Sequence, residues 1–454
     1  MLTLIALLMI IVFIVSLSKR KLSVFGALTI IPFVFGVIAA LATGKPILDV
    51  FKWIKNGIFY TQNATTGKVS LGVISPAIII LFAVLFFGVM LYAGLFDPLS
   101  EFFIKKAKGD PLKVALATVL VASVVTLNGD TTTTIIIVIA AFLSLWKQMN
   151  MKLIYLAIIV VTPIGIFNQL PWGGPTIAAA TALDVEISTL FRSILPGLLV
   201  AECYAIFMAY MLGKKERKRL NFDPKTAKDL PPEQIQMMLN AIRENEPEKK
   251  RPKLFWFNLL LTILVLTLLL MDIVHGSVLF MLGTAIALKV NYKTTEGVKE
   301  IMDDLAPDAL PPALATLAAG AFSGILGGSG MSTALATSLA SVIPASLGTH
   351  MVPIYAILAA PAITFLPQDA FYFGIASVMA GVMGQFGVSP DQAAVASMVG
   401  QSFRLISPVI PALYMLCERT EVNFVDFQKE YTKYAWPILF IYLIVHTITG
   451  AMPL

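Results

Sequence analysis

Residues 169–176 have the sequence QLPWGGPT and interrupt the apolar stretch 153–190 near its centre. Two prolines and two adjacent glycines end a helix, so this stretch predicts a membrane span that is broken in the middle. Residues 404–408 (RLISP) divide the stretch 392–418 and predict a second broken span. A break leaves backbone N–H and C=O groups unpaired, which lipid does not tolerate, so each break must be buried in protein or face a wet cavity.

Two other apolar stretches are interrupted by polar residues near their middle. Residues 127–130 (LNGD) lie within 111–147, and residues 366–369 (LPQD) lie within 351–390. We expect both stretches to be re-entrant hairpins that enter and leave on the same side of the membrane.

The composition supports a membrane protein. The chain has 454 residues, of which 57% are hydrophobic and 13% are charged, whereas about a quarter of a soluble domain is charged. A soluble enzyme, a disordered chain and a coiled coil are therefore excluded, and two cysteines exclude a disulfide scaffold. Uninterrupted helices long enough to cross the bilayer are predicted near 1–17, 22–43, 71–96, 194–213, 254–272, 275–290, 310–327 and 434–452.

The basic residues predict how the chain is threaded. With two hairpins and two broken spans, most of the 33 Lys and Arg residues fall on one side, which we take as cytoplasmic. Segment 44–70, with its four lysines on the other side, runs against this rule. Both termini are then predicted to lie outside the cell membrane. The net charge of +6 is therefore attributed to the Lys and Arg residues on the cytoplasmic side, not to binding of nucleic acid.

Segment 214–253 separates two related halves. It contains 12 basic and 7 acidic residues without interleaved aromatics, which is typical of a solvated cytoplasmic linker and not of a nucleic-acid-binding arm. The breaks of the first repeat (1–213) align with those of the second (254–454), and the threading makes the repeats inverted. Inverted repeats with interrupted helices predict an all-α secondary transporter.

Other functional classes receive less support. The chain has no G-x-x-x-x-G-K-S/T loop, which argues against an ATP-driven pump. No nucleophile–base pair or metal-ligand cluster occurs at a break, so an enzyme is not predicted. An anion channel of the same fold remains an alternative.

The polar residues at the interruptions are candidates for binding. Each half-helix begins with free N–H groups and a positive dipole end, which suits a carboxylate. Thr131 and Thr132 can bind a ligand through their hydroxyls or can satisfy the helix start. Asp130 and Asp369 are either proton carriers and cation ligands or helix N-caps. Arg404 can clamp a carboxylate, or it can pair with Asp369 or with a helix C-terminus.

Less specific candidates lie nearby. Asn168 and Gln169 can bind a ligand or close the unwound backbone. Glu202 is either a second protonatable group or the partner in a helix–helix hydrogen bond. Trp172 is interpreted as a packing plug, and Asp97, which precedes a proline, as an N-cap.

The sequences at the interruptions resemble, in order, the signature stretches of the citrate–divalent metal:proton symporter family of the ion transporter superfamily. PWGGPT (171–176) and PQDAFYFG (367–374) are the most specific, and the resemblance covers essentially the whole chain. It implies uptake of citrate as a chelate of a divalent cation such as Mg²⁺ or Ca²⁺, with the proton as coupling ion. It also implies a homodimer that works by an elevator-like movement and needs no resident cofactor.

The resemblance and the threonine hydroxyls together define the expected site. Asp130 and Asp369 are expected to couple protons and to touch the metal that travels with citrate. After Asp130 the family usually continues Gly-Ala-Thr-Thr, whereas four threonines follow here, so gluconate, lactate or a dicarboxylate, with proton or sodium, stays an alternative. The residues expected to bind substrate are Asn128, Gly129, Asp130, Thr131, Thr132, Gly173, Gly174, Pro175, Thr176, Asp369, Arg404 and Ser407.

Overall fold

Helices form almost all of the regular structure in the computed structural model. Seven described helical stretches, one of them the interrupted stretch Pro390–Arg419, are long and apolar enough to cross a membrane, which supports a multi-pass membrane protein. The structure describes residues 1–19, 21–62, 69–107, 109–127, 129, 131–226, 230–243, 247–271, 273–348 and 350–453.

The first part of the chain leads from peripheral helices into the first hairpin and the first broken span. Strands β1 and β2 form one short antiparallel pair. The elements are α1 (Leu2–Ser18), α2 (Val24–Thr43), α3 (Asp49–Ile58), β1 (Tyr60–Gln62), β2 (Val69–Leu71), α4 (Ile74–Tyr92), α5 (Asp97–Ala107), α6 (Pro111–Thr126), α7 (Thr131–Gln148), α8 (Leu153–Phe167), α9 (Gly174–Leu183) and α10 (Ile187–Arg219).

The second part repeats this plan after a charged segment that contains short 3₁₀ turns. A π-helix (Ala370–Ala376) and a 3₁₀-helix (Gly400–Ile406) lie at its two interruptions. The helices are α11 (Pro232–Arg243), α12 (Phe255–Leu270), α13 (Gly276–Asn291), α14 (Thr295–Gly328), α15 (Met331–Ala340), α16 (Ala345–Gly348), α17 (Met351–Phe365), α18 (Ser377–Gly384), α19 (Pro390–Val399), α20 (Pro411–Arg419) and α21 (Phe424–Ile448).

Both predicted hairpins and both broken spans are present. Helices α6 and α7 are the arms of the first hairpin, and Leu127 and Gly129 are the described residues of the segment between them, hereafter the first tip. Helix α17 and the π-helix that continues into α18 form the second hairpin, and residues 366–369 are the second tip. The first break (168–173) separates α8 from α9, and the second break (400–410) separates α19 from α20. The predicted all-α architecture of two hairpins and two broken spans is thus confirmed.

Three helices extend well beyond their predicted bounds. The span predicted at 434–452 belongs to α21, which already starts at Phe424. The span predicted at 310–327 belongs to α14, which starts at Thr295 and passes through three prolines. The span predicted at 194–213 belongs to α10, which continues to Arg219. In its last turns Glu216 accepts from Arg219 at 3.0 Å, and Arg217 donates to Asp110 at 2.7 Å. The repeat boundaries at 213 and 254 stay a prediction.

The helices pack in two groups. Helix α14 packs against α2, α3 and α4, and α13 packs against α4; we call these helices the scaffold group. The hairpins, the broken spans, α10 and α21 pack among themselves and are called the hairpin group. Helix α9 of the hairpin group also contacts α4 and α14, so the first break lies where the groups meet.

Candidate substrate site

A cavity of about 560 Å³ lies between the two groups. Its described walls come from α4 and α14 on one side and from both tips and the first break on the other. Three parts of the chain that are distant in sequence thus meet at one cavity, and the polar groups that an interrupted helix exposes can face it. Its polar side chains include Thr131, Thr133, Asn168, Gln368, Lys250 and Asp308.

Trp172 connects the first break to the first tip. Its indole Nε1 donates a hydrogen bond to the Leu127 carbonyl at 3.1 Å, and its ring stacks on Phe87 of α4 with centroids 3.9 Å apart. Gly129 has a positive φ of 84°, and a Cβ there would lie 2.9 Å from the Trp172 ring. Glycine is therefore required at this tip both for its backbone and for the close approach of the ring. Trp172 is a packing plug, as predicted.

Two glycines shape the first break. A Cβ on Gly173 would lie 1.9 Å from the Asn168 carbonyl oxygen, so only glycine permits this tight turn. A Cβ on Gly174 would lie 3.0 Å from Nε2 of Gln368, which shows how closely the second tip approaches the start of α9. Gln368 is a cavity residue that sequence reasoning missed, although it lies in the PQDAFYFG signature. Pro175 follows in the first turn of α9 and also lines the cavity.

Behind the cavity, buried hydrogen bonds close the first break. Thr176 donates its hydroxyl to the Gln169 carbonyl at 2.8 Å, and the Gln169 amide donates to the Tyr442 hydroxyl at 3.0 Å. Both Thr176 and Gln169 are almost fully buried. Gln169 therefore closes the unwound backbone, whereas Asn168 lines the cavity. The predicted contact of Thr176 with substrate stays a prediction.

The start of α7 faces the cavity. Thr131 and Thr133 line it, whereas Thr132 is exposed and is not among the described residues of its wall. Asn128 and Asp130 lie outside the described residues. The substrate roles of Thr131 and Thr132, like those of the two tip residues, stay predictions.

Arg404 caps the C-terminal end of a helix in this conformation. Its guanidinium donates to the carbonyl oxygens of Ile363 and Leu366, at 2.8 and 3.0 Å, and so caps the C-terminal end of α17. The carboxylate of Asp369 is close enough to interact with Arg404 electrostatically. Asp369, Arg404 and the buried Ser407 are not among the described residues that line the 560 Å³ cavity. Their roles in substrate binding and coupling stay predictions.

Sequence reasoning missed both charged residues on the described cavity wall. Lys250 belongs to the predicted linker and reaches the cavity beside the last turn of α4. Asp308 lies on α14, one residue after a proline and just before the predicted span. Asp308 could have been singled out as a carboxylate among prolines at the boundary of a predicted span. Nothing in the sequence of the linker distinguishes Lys250 from the neighbouring basic residues.

Glu202 of α10 lies away from the described cavity wall. The Ser123 hydroxyl of α6 donates a hydrogen bond to its Oε1 at 2.5 Å, which confirms a helix–helix contact. Its other oxygen is buried without a hydrogen-bond partner among the described residues. Within the same described part of the chain, no three His, Cys, Asp or Glu side chains are placed to hold a metal ion.

Comparison with known proteins identifies the family. A family model described as "Citrate transporter" matches residues 1–400. The chain belongs to this citrate transporter family. Within it, a citrate transporter of Bacillus subtilis (strain 168) is 36% identical over 438 residues, which are 96% of either chain. A protein of the same organism named as a Mg(2+)/citrate complex secondary transporter is 34% identical over 459 residues, covering 100% of this chain and 99% of the relative.

Solved structures of other transporters share the fold. The Alcanivorax borkumensis YdaH transporter superposes with a TM-score of 0.58 over 92% of this chain and 98% of its own, at 15% identity. Neisseria gonorrhoeae MtrF gives a TM-score of 0.56 over 91% of this chain and 85% of its own, at 14% identity. The citrate transporter family and these neighbours are transporters, not enzymes, so the predicted class and family resemblance are confirmed.

Proposed function

We propose that this member of the citrate transporter family takes up citrate as a complex with a divalent cation, coupled to protons, by an elevator-like movement. The observation that carries the proposal is the cavity in which the starts of α7 and α9, the second tip and Lys250 meet. Homodimeric assembly in the cell membrane, with both termini outside, belongs to the same proposal.

The cavity is suited to a carboxylate. Helix α7 starts at Thr131 and α9 starts at Gly174, and both residues line the cavity. The first turn of a helix has N–H groups without intrahelical partners, and its dipole favours negative charge. Two such helix starts and the ammonium group of Lys250 give the site several donors for an anion with more than one carboxylate.

A metal chelate matches the mixed charge of the wall. Binding a divalent cation lowers the negative charge of citrate, so less charge must leave water when the complex enters the membrane. Asp308 offers oxygen atoms, the ligands that Mg²⁺ and Ca²⁺ prefer, on the wall opposite the helix starts. The relative named for a Mg(2+)/citrate complex supports this choice of cargo.

The arrangement of cavities supports alternating access. A second cavity of about 730 Å³ lies at the other end of α4, lined by Val73 and Pro76, whereas the first reaches Tyr92. Helix α9 separates them, with Gly174 in the first and Thr181 in the second, about 10 Å apart along the helix. Moving α9 and the tips past α4 and α14 by a similar distance transfers the substrate from one cavity to the other.

Proton coupling is assigned to the tip carboxylates Asp130 and Asp369. Asp369 of the second tip interacts electrostatically with Arg404 of the second break, so its protonation changes the charge between these two segments. We expect Asp369→Asn to abolish acceleration of uptake by an inward proton gradient. Uptake in this variant that still follows the gradient would remove Asp369 from the coupling.

The function is tested by uptake of labelled citrate into proteoliposomes under an inward proton gradient. Separate measurements use Mg²⁺, Ca²⁺ or Na⁺ and a protonophore, with protein-free liposomes as the control. Accumulation that needs a divalent ion and collapses with the protonophore supports metal-citrate:proton symport. Equilibration without accumulation indicates a channel, and uptake driven by Na⁺ alone overturns the proton coupling.

A transporter of another carboxylate is the second candidate. It is favoured by the four consecutive threonines 131–134, which add hydroxyl groups to the first tip. Unlabelled gluconate, lactate and dicarboxylates are added at equal concentration to the citrate assay. If one of them competes more strongly than citrate itself, the substrate assignment passes to that acid.

A further inference from the structure

Lys250 forms an ion pair on the cavity wall. Its ammonium nitrogen lies 3.0 Å from Asp97 Oδ2 and 3.2 Å from Oδ1. The two side chains are only 14% and 16% exposed, so the pair is largely shielded from solvent. Asp97 is at the start of α5, immediately after the turn that ends α4.

The backbone around Lys250 is fixed to the scaffold group. The Arg251 N–H donates to the Ala93 carbonyl at 2.9 Å, and its guanidinium donates to the Asn291 carbonyl at 2.8 Å. The same guanidinium lies over the Tyr292 ring, 4.8 Å from its centroid. Movement at Lys250 is therefore confined to its long flexible side chain, which can turn from Asp97 toward the cavity.

Gly94 provides the space for this pair. Its φ is +81°, and a Cβ there would lie 2.9 Å from Asp97 Oδ2 and 3.1 Å from the Lys250 stem. A side chain at this position would push the two charged groups apart. The turn after α4 is thus shaped around the ion pair as well as by its own backbone conformation.

The charges on the wall indicate what Lys250 can bind. Among the described residues of the cavity wall, Lys250 is the one with a positive charge. Arg404 is not among these wall residues, and in this conformation it donates to the end of α17. A carboxylate that enters this cavity therefore meets the ammonium group of Lys250.

We propose that Lys250 binds a carboxylate of the substrate and leaves Asp97 to do so. This inference rests on the proposed carboxylate cargo and adds a specific residue to its site. Asp97 then competes with the substrate for the same ammonium group. The pair holds the Lys250 side chain in place while the cavity is empty, and the exchange gives its ammonium group an anionic partner in either state.

The two members of the pair are expected to have opposite effects. Lys250→Gln removes a charge-assisted hydrogen bond to substrate, which corresponds to roughly ten-fold weaker binding. Asp97→Asn removes the competitor and should tighten binding several-fold. If the pair were only structural, both substitutions would weaken binding. The double variant, which leaves neither charge unpaired, should bind as weakly as Lys250→Gln.

Lys249→Gln is the matched control. Lys249 is the adjacent lysine of the same segment, pairs with Asp304 and lies over the Tyr92 ring at 4.8 Å, but it is not among the described residues of the wall. Removing its charge changes the linker in the same way without removing the proposed substrate contact. We expect citrate affinity in this variant to stay within two-fold of wild type.

The experiment is calorimetric titration of the full chain in nanodiscs with Mg²⁺-citrate and, separately, with metal-free citrate, gluconate and lactate. Weaker binding by Lys250→Gln and by the double variant, with tighter binding by Asp97→Asn, supports the inference. Equal affinity of wild type and Lys250→Gln overturns it while leaving the proposed function standing. If wild type binds none of these acids, the carboxylate cargo and the role of Lys250 are overturned together.

Discussion

Replacing Asp110 by alanine is expected to destabilise the fold through the attachment of the first hairpin to α10. The Asp110 carboxylate accepts hydrogen bonds from Nε of Arg217, at 2.7 Å, and from a second guanidinium nitrogen. It also caps α6 by accepting from the Leu112 N–H at 3.0 Å. Its side chain is 1% exposed, whereas that of Arg217 is 25% exposed.

These contacts set the size of the effect. Loss of an N-cap costs about 1 kcal/mol. Removing one partner of a fully buried ion pair costs about 3–5 kcal/mol, but Arg217 can still reach water, so we expect about 2 kcal/mol here. Asp110→Ala should therefore lower the free energy of unfolding by about 3 kcal/mol, and Asp110→Asn, which retains an acceptor for the cap, by about 2 kcal/mol.

The difference between wild type and Asp110→Asn should also depend on pH. Burial alone would raise the pKa of Asp110, but the hydrogen bonds from Arg217 and Leu112 and the nearby positive charges outweigh it and hold the pKa below its ordinary value. A carboxyl with a lowered pKa stabilises the fold above its unfolded value of about 3.9 and loses this contribution as pH falls through the folded pKa. The difference is therefore full at neutral pH and declines in acid.

The free energy of unfolding can be measured by steric trapping in bicelles, at neutral and at acid pH. A double-mutant cycle with Arg217→Gln isolates the pair from the cap, and Lys433→Gln, at an exposed i,i+3 pair with Glu430, serves as a surface control. Unfolding free energies of wild type and Asp110→Ala that agree within 1 kcal/mol would refute the reasoning, as would a difference that grows on acidification.

Three further substitutions test the cavity and its surroundings. Thr131→Ala should weaken citrate binding several-fold by removing a hydroxyl from the cavity wall. Ser144→Ala, near the other end of α7, should leave the affinity unchanged, and equal citrate affinities of wild type and Thr131→Ala in a titration would contradict the prediction. Asp308→Asn should reduce the stimulation of citrate uptake by Mg²⁺ more than uptake of free citrate, and a uniform loss would argue against metal contact. Glu202→Gln should retain proton-driven uptake because an amide oxygen still accepts from Ser123, so a collapse in that assay would identify Glu202 as a proton carrier.

The sequence was sufficient to locate the interruptions because proline and glycine act on their own stretch of backbone. Helix α8 ends at Phe167 and α9 starts at Gly174, around the predicted PWGGP break. The second break is less sharp, since a 3₁₀-helix runs through Gly400–Ile406 before α20 starts at Pro411. There the chain passes from an α-helix into a 3₁₀-helix before the break, and the position of a proline does not predict this change.

Which side chains line the cavity depends on contacts between residues distant in sequence, so the lining could not be predicted in the same way. Gln368 approaches Gly174 although nearly two hundred residues separate them in the sequence. Lys250 lines the cavity because the next residue, Arg251, donates its backbone N–H to the Ala93 carbonyl. The sequence leaves Arg404 either to clamp a carboxylate or to pair with Asp369 or a helix C-terminus, and in this conformation it donates to the carbonyls at the end of α17. Residue type limits what a side chain can bind, and packing decides which partner it meets.

The strength of the contacts differs within and between the two groups of helices. Inside the hairpin group, the first break is closed by hydrogen bonds from Thr176 and Gln169, and the second hairpin is held by Arg404. Across to α4, by contrast, the first break contributes the stack of Trp172 on Phe87, worth about 0.5–1.5 kcal/mol beyond its buried area. An apolar stack can slide without leaving a buried donor or acceptor unpaired. Breaking the hydrogen bonds inside the hairpin group would instead leave buried polar atoms unpaired, and each such atom costs its desolvation free energy. This difference in contacts supports the proposed elevator-like movement, in which the hairpin group would move past the scaffold group as one body.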